Sequence, residues 1–251
     1  MHLCMAERML QHPDLDAKLA RRLRAAWPAF YLGSVAADYQ TICQIPRAET
    51  HFYTLPPAVD ARAHLAMLQR FPQLAQAATL PEDQAVFVAA YSAHLMLDLR
   101  WYHGVLQPYF LQPTGWSADH RARFLVHNIL LTYLDRRAYD ALPPQAGATL
   151  AAARSDHWLP FADDADLRVW QNMLVQQLRP GAAIKTIEIY AGRLRMTPRE
   201  FAERLQDEPW MATQVFRRVP LAAVDALLTA AVGESIALIA AYLQAPLPSS
   251  H

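Results

Sequence analysis

Residues 87–110, FVAAYSAHLMLDLRWYHGVLQPYF, constrain the fold more than any other part of this chain. No proline interrupts them before Pro108, and Ala, Leu and Met recur throughout. The stretch therefore predicts one long helix. It is apolar nearly all round, so other helices must cover it on several sides. Into this run the sequence places His94 and Asp98, four residues apart. On a helix, positions i and i+4 lie one turn apart on the same face. A buried carboxylate without a partner costs roughly several kcal/mol, so the pair needs an explanation. Two remain open from these residues alone: a His–Asp hydrogen bond inside the core, or one metal ion gripped by both side chains from a rigid support.

The rest of the composition fits a helical protein. Hydrophobic residues make up 53% of the 251 and charged residues 18%, with only 7 glycines. A strand-rich fold would need more turn glycines and β-branched residues. Lys plus Arg equal Asp plus Glu at 23 each, so no basic field exists to hold a nucleic-acid backbone, and there is no specific nucleic-acid signal. Cys4 and Cys43 form neither a disulfide framework nor a thiolate metal site. The opening MHLCMAERML lacks a basic region followed by an unbroken apolar one, so the expected location is cytoplasmic. The most apolar long segment, 221–243, contains Asp225 and Glu234 and reads as too mixed to span a bilayer.

Along the chain, residues 2–11 predict a first helix and Asp14 the cap of a second. Pro28 opens a third segment, in which Gly33 allows a close approach and Asp38 stands at the far end. Residues 41–57 read as a structured loop carrying Arg47, Glu49 and His51. Helices are expected over 58–70 and 119–142, with a turn at 113–116 between the long helix and the next. The expected organisation is a metal-site helical half (1–142), a linker (143–162), a helical back half packed on the same domain (163–246) and a tail (247–251). Thr197-Pro-Arg-Glu200 is a capping-box pattern in that back half.

Five polar residues stand out: His2 on the first helix, Asp38, His51, and the His94/Asp98 pair. Singly, each has an ordinary reading as a surface histidine, a helix cap or a loop histidine bonded to backbone. Together, His2-Leu-Cys-Met-Ala6, Leu32-Gly-Ser-Val-Ala-Ala-Asp38, Thr50-His51-Phe52 and Tyr91-Ser-Ala-His94-Leu-Met-Leu-Asp98 resemble the zinc-dependent phospholipase C family. That all-helical fold is shared with the single-strand-specific zinc nucleases. The resemblance covers about residues 1–140 and implies an all-α, multi-helix bundle of the zinc-dependent phospholipase C type.

Carried over, the resemblance implies that Asp38, His51, His94 and Asp98 surround one metal. His2 would share Asp98 with a second ion, helped by the amino group of the chain start. The implied cofactor is zinc, one to three ions, with Mn²⁺ or Fe²⁺ also accepted by such ligands. Family members hold a third ion with a further His and a His-x-x-x-Glu pair. Here His127 is followed at the fourth position by Leu131, and His120 by Phe124, so that glutamate is missing. His103 is a candidate ligand too, yet it lies nine residues past His94, about 180° round an ideal helix. It reaches the same site only if the helix bulges.

The implied activity is metal-dependent hydrolysis of a small-molecule or lipid phosphoester by a metal-activated water, with Asp38 as the catalytic carboxylate. Arg47, Tyr91, Trp101 and Tyr102 are the expected substrate-binding residues. For Arg47 the competing expectation is a surface salt bridge with Glu49, and for the aromatics plain core packing. Two other functional readings stay open: a metal-stabilised helical protein without phosphodiesterase activity, and a repurposed metalloenzyme acting on another small molecule. The sequence leaves the oligomeric state undetermined.

Overall fold

The computed structural model describes residues 1–112, 119–179, 181–182 and 185–245. The turn at 113–116 and the tail at 247–251 lie outside the described residues. Those described form an all-α fold without a strand. Helices α1 (His2–Leu10), α2 (Ala17–Ala25) and α3 (Trp27–Ala36) come first. A 3₁₀ turn, Ala37–Tyr39, leads to the short α4 (Gln40–Cys43) and α5 (Arg47–His51), and then to α6 (Ala63–Arg70). The long α7 (Glu82–Trp101) continues as a π-helix over Tyr102–Leu111, followed by α8 (His120–Asp140) and α9 (Ala146–Ala152). The remainder is α10 (Asp164–Gln177), α11 (Thr186–Leu194), α12 (Pro198–Gln206), α13 (Glu208–Trp210) with a π-helical Met211–Phe216, and α14 (Leu221–Gln244).

The helix ends follow capping chemistry, with one correction. Asp16, not Asp14, caps α2, its carboxylate accepting from the amides of Lys18 and Leu19 at 2.9 Å. Asp119 caps α8, and Thr197 with Glu200 forms the complete capping box of α12. The expected single long helix changes character at Tyr102. Pro108 has no amide hydrogen to give, and the wider π-helical winding carries it inside the turn.

Two helices that are apolar all round, α3 and α7, form the centre. Residues 29–36 of α3 and 85–95 of α7 are all buried, as a helix without a polar face must be. Gly33 sets their spacing: a Cβ there would lie 2.3 Å from the Phe87 carbonyl oxygen and 2.9 Å from the Ala90 Cβ. Trp170 on α10 donates its Nε1 to the Val35 carbonyl at 2.8 Å, and Tyr39 its hydroxyl to the Phe161 carbonyl at 3.0 Å. These tie the later chain to the α3 side of the pair.

Two apolar clusters result, and they do not divide the chain at 143–162. One unites α1, α3, α7, α9, α10 and the second half of α14; the other packs the π-helix and α8 against α11, α12 and the start of α14. The segment 143–162, expected as a linker, is built into the first cluster through Ala146, Leu150, Ala153, Trp158 and Leu159. Its small residues pack closely where larger ones would signal a periodic face. Helix α14 is also corrected, for its length and composition suffice to cross a membrane. In the fold it is a bundle helix: Asp225 pairs with Arg137 and Glu234 with Arg100, while Ile236, Ile239 and Leu243 enter the core.

Candidate metal centre

Four chain segments meet beside α7. His2 comes from the first turn of α1, Asp38 from the 3₁₀ turn after α3, and His51 from the last residue of α5. His94 and Asp98 stand one turn apart on α7. The His2 ring stacks on His94 with centroids 3.8 Å apart, and the His51 ring lies edge-on to His94 at 5.5 Å. Asp98 faces all three imidazoles: His2 Nε2 at 3.4 Å from Oδ1, and His51 Nε2 at 3.3 Å and His94 Nε2 at 3.8 Å from Oδ2. Asp38 Oδ1 lies 3.5 Å from His51 Nε2. Two overlapping triads, His2/His94/Asp98 and Asp38/His51/His94, each bring one ligand atom per residue within 4.8 Å of the others. Zinc sits about 2 Å from each N or O ligand, so ligands of one ion lie at most about 4 Å apart; the His–Asp contacts above, at 3.3–3.8 Å, fall within that.

The backbone fixes how the imidazoles point. His94 Nδ1 lies 2.9 Å from the Ser34 carbonyl, which can only accept. The proton is therefore on Nδ1 and the Nε2 lone pair faces the cluster. For His51, Thr50 Oγ1 donates to the Arg47 carbonyl at 3.2 Å and receives His51 Nδ1–H at 2.8 Å, again turning Nε2 inward. Buried His51 Nε2, His94 Nε2 and His2 Nδ1 have no hydrogen-bond partner among the described residues. Each such atom costs about 1–3 kcal/mol if left so. Two of them, on His51 and His94, face the cluster, and with His2 Nε2 and the two carboxylates they form a donor set that fits a divalent metal.

Electrostatics separate the imidazoles: burial alone would lower His51, but the neighbouring Asp38 and Asp98 raise it above the usual histidine range. Burial, with His2 alongside, pushes His94 down to about 4, so it is neutral at pH 7. Packing alone would raise both carboxyls. The histidines beside them instead hold Asp38 and Asp98 well below the usual carboxylate range. Asp38 is the partly open member, its side chain 36% exposed against 19% for Asp98 and none for His51 and His94. The approach to the cluster is on the Asp38 side. Replacing Thr50 with Val keeps its shape but removes the acceptor for His51 Nδ1–H. Zinc affinity, measured by competition with a chelator, is expected to fall about 10–100-fold, the range for losing an outer-shell partner. Unchanged affinity would mean that His51 is not oriented through Thr50.

The other sequence candidates divide. Arg47 reaches the site: its guanidinium bonds Asp98 and lies over the Tyr53 ring, 4.9 Å from the centroid. Glu49 pairs instead with Arg70 at 2.8 Å. Tyr91 is not on the site surface; it is fully buried and donates to the Thr50 carbonyl at 2.7 Å, bracing the turn that carries His51. Trp101 donates its Nε1 to His127 Nε2 at 3.2 Å, which occupies the nitrogen a third ion would use. Tyr102 is buried, edge-on to His103. His103 bonds Gln107 at 3.1 Å and belongs to neither ligand triad. The π-helical winding begins too late to bring it round. The chain-start amine pairs with Asp135 at 2.9 Å rather than with the cluster.

His127 supplies a pH prediction. Burial pushes it down to about 4, against about 6.5 for the unfolded chain. The unfolded state thus binds more protons between those values. Stability is full above pH 6.5 and falls as pH drops towards 4, by up to roughly 3 kcal/mol. Denaturant titrations of His127→Gln should show a flatter pH dependence in that window, and equal slopes would remove His127 as the cause.

Residues that sequence reasoning passed over also shape the site. Ser34 and Thr50 orient His94 and His51, and Tyr53 supports Arg47, with burial and Asp98 pushing its phenol up to about 12. Tyr190, from the back half, has its phenol raised by burial and by the charges of Asp135, Asp38 and Asp98. Ser34 and Thr50 lie inside the motifs that carry the resemblance and Tyr53 stands two residues past His51, whereas no local signal marks Tyr190.

A protein-family model described as zinc-dependent phospholipase C matches residues 1–169. No curated protein and no solved structure matches the chain.

Proposed function

This chain belongs to the zinc-dependent phospholipase C family, and from that premise we propose that it hydrolyses phosphate esters, lipid phosphodiesters among them, at the His/Asp cluster. The observation that carries the reading is the convergence of His2, Asp38, His51, His94 and Asp98, with their imidazole nitrogens turned inward. These five residues would hold the metal, which when bound supplies Lewis acidity and a lowered water pKa. Asp38 is ionised and faces the open side, so its carboxylate takes the proton of the attacking water. Arg47, fixed by Asp98 and Tyr53, directs its remaining N–H groups at phosphoryl oxygens, where its charge offsets the negative charge that builds up. His94, His51 and His2 orient the centre.

The test uses protein purified without chelator. It is expected to contain at least one metal ion per chain and to hydrolyse bis-p-nitrophenyl phosphate and phosphatidylcholine. Both activities should vanish in His94→Ala. Bound metal with turnover of neither substrate would overturn the reading and make the ions structural cross-links.

A further inference from the structure

The face of α7 opposite the metal cluster borders a second feature, a cavity of about 720 Å³ between α6, α7 and α14. Ser92 and His94 are about 200° apart round the helix, so this cavity is distinct from the metal centre. Leu68, Met96, Leu99 and Leu238 contribute its apolar wall. Two of its polar atoms lack a partner among the described residues. Ser92 is 1% exposed, and its hydroxyl has no hydrogen-bond partner among the described residues; neither does the buried Nε2 of His103. They stand eleven positions apart along α7 and the start of the π-helix, a rise of about 16 Å, which suits an elongated ligand rather than a compact one.

The rim is both apolar and charged. Val59 is 90% exposed and Leu65 38%, so apolar surface faces solvent where a ligand would cover it. Arg62 and Arg100 stand there with Asp60, and Arg100 is fixed by a 2.6 Å bond from Nε to Glu234. Ligand pockets combine an apolar lining with a few placed polar groups in this way.

We propose that this cavity binds a single-chain amphiphile: an aliphatic tail along α7 with an acidic head at Arg62 and Arg100. Ser92 and His103 then find partners in oxygen atoms of the ligand. A free fatty acid and a monoacyl phospholipid share this chemistry. The proposal does not rest on the phosphoesterase reading, and its test reads binding rather than turnover.

Calorimetric titration of the full-length, zinc-loaded protein with dodecanoate and with dodecylphosphonate, a non-hydrolysable stand-in for the phosphate head, each below its micelle concentration, tests it. Dodecanol serves as the uncharged comparison. One saturable site per chain is expected for at least one acid, and the tighter of the two identifies the source. Leu238→Trp, which fills the cavity, should weaken binding about tenfold or more. The exposed double variant Arg62→Glu/Arg100→Glu should do the same, and leaves a test standing if the core variant fails to fold. No saturable binding of either acid overturns the proposal. So does dodecanol binding as tightly as the acids, or a folded variant of either kind binding as the parent does.

Discussion

Asp98→Asn is expected to lower hydrolysis of bis-p-nitrophenyl phosphate by more than about a hundredfold, and zinc content with it. Loss of an outer-shell partner alone costs about 10–100-fold, and Asp98 sits inside the cluster. It faces His2, His51 and His94 at 3.3–3.8 Å and bonds Arg47. The amide keeps the volume but removes the only negative charge common to all four groups. An amide is also a poorer metal ligand than a carboxylate. Parallel measurement of kcat/KM, of metal by mass spectrometry and of thermal unfolding separates these effects. Normal activity with normal zinc would mean that Asp98 is a core ion-pair partner and nothing more.

Gly33→Ala is expected to destabilise the fold by about 1–3 kcal/mol, the range for overpacking. In a chain of this size that shifts Tm by roughly 2–4 °C for each kcal/mol. The sign has to be argued, because Ala in place of Gly inside a helix normally gains about 1 kcal/mol. Here the new methyl would lie 2.3 Å from the Phe87 carbonyl oxygen. That oxygen belongs to the α7 backbone and cannot swing aside, so the overlap wins. Relief requires α3 to move away from α7, which carries off the Ser34 carbonyl that orients His94, and Asp38 beyond it. Zinc affinity should therefore fall along with Tm. Gly233 on α14 is the control: nothing lies within 4 Å of its built Cβ, and Gly233→Ala should leave Tm unchanged or raise it. Equal effects at the two positions would dismiss the close approach of α3 and α7 as the cause.

The fold and the convergence of the five side chains were legible for different reasons. An α7 that is apolar all round with His94 and Asp98 one turn apart follows from helical periodicity. So does the need for covering helices. The meeting of His2, Asp38 and His51 at that pair does not follow from periodicity; it was implied only by the resemblance of their local motifs and order to one family. Side-chain direction was the least legible property. Tyr91 neighbours the ligand face in sequence, yet its hydroxyl turns to the Thr50 carbonyl because a fully buried phenol must find an acceptor. His103 fits the geometric objection raised from spacing, since the helix widens only from Tyr102 onward. The part played by Asp135 and Tyr190 was hidden because it depends on how the second apolar cluster folds back on the first. No local pattern encodes that. The packed 143–162 segment was hidden for a related reason: alanines and glycine bury well without producing a periodic signal.

The proposed hydrolysis requires an ion among side chains from α1, the turn after α3, α5 and α7. Crystals of protein purified without chelator, measured on both sides of the zinc absorption edge, test this most directly. An anomalous peak within bonding distance, about 2 Å, of His94 Nε2, with His51 and a carboxylate oxygen of Asp38 or Asp98 completing the shell, is the predicted result. A map with zinc elsewhere, such as the exposed Asp156, His157 and Asp164 group, or with the five side chains bonded only to one another, would contradict it.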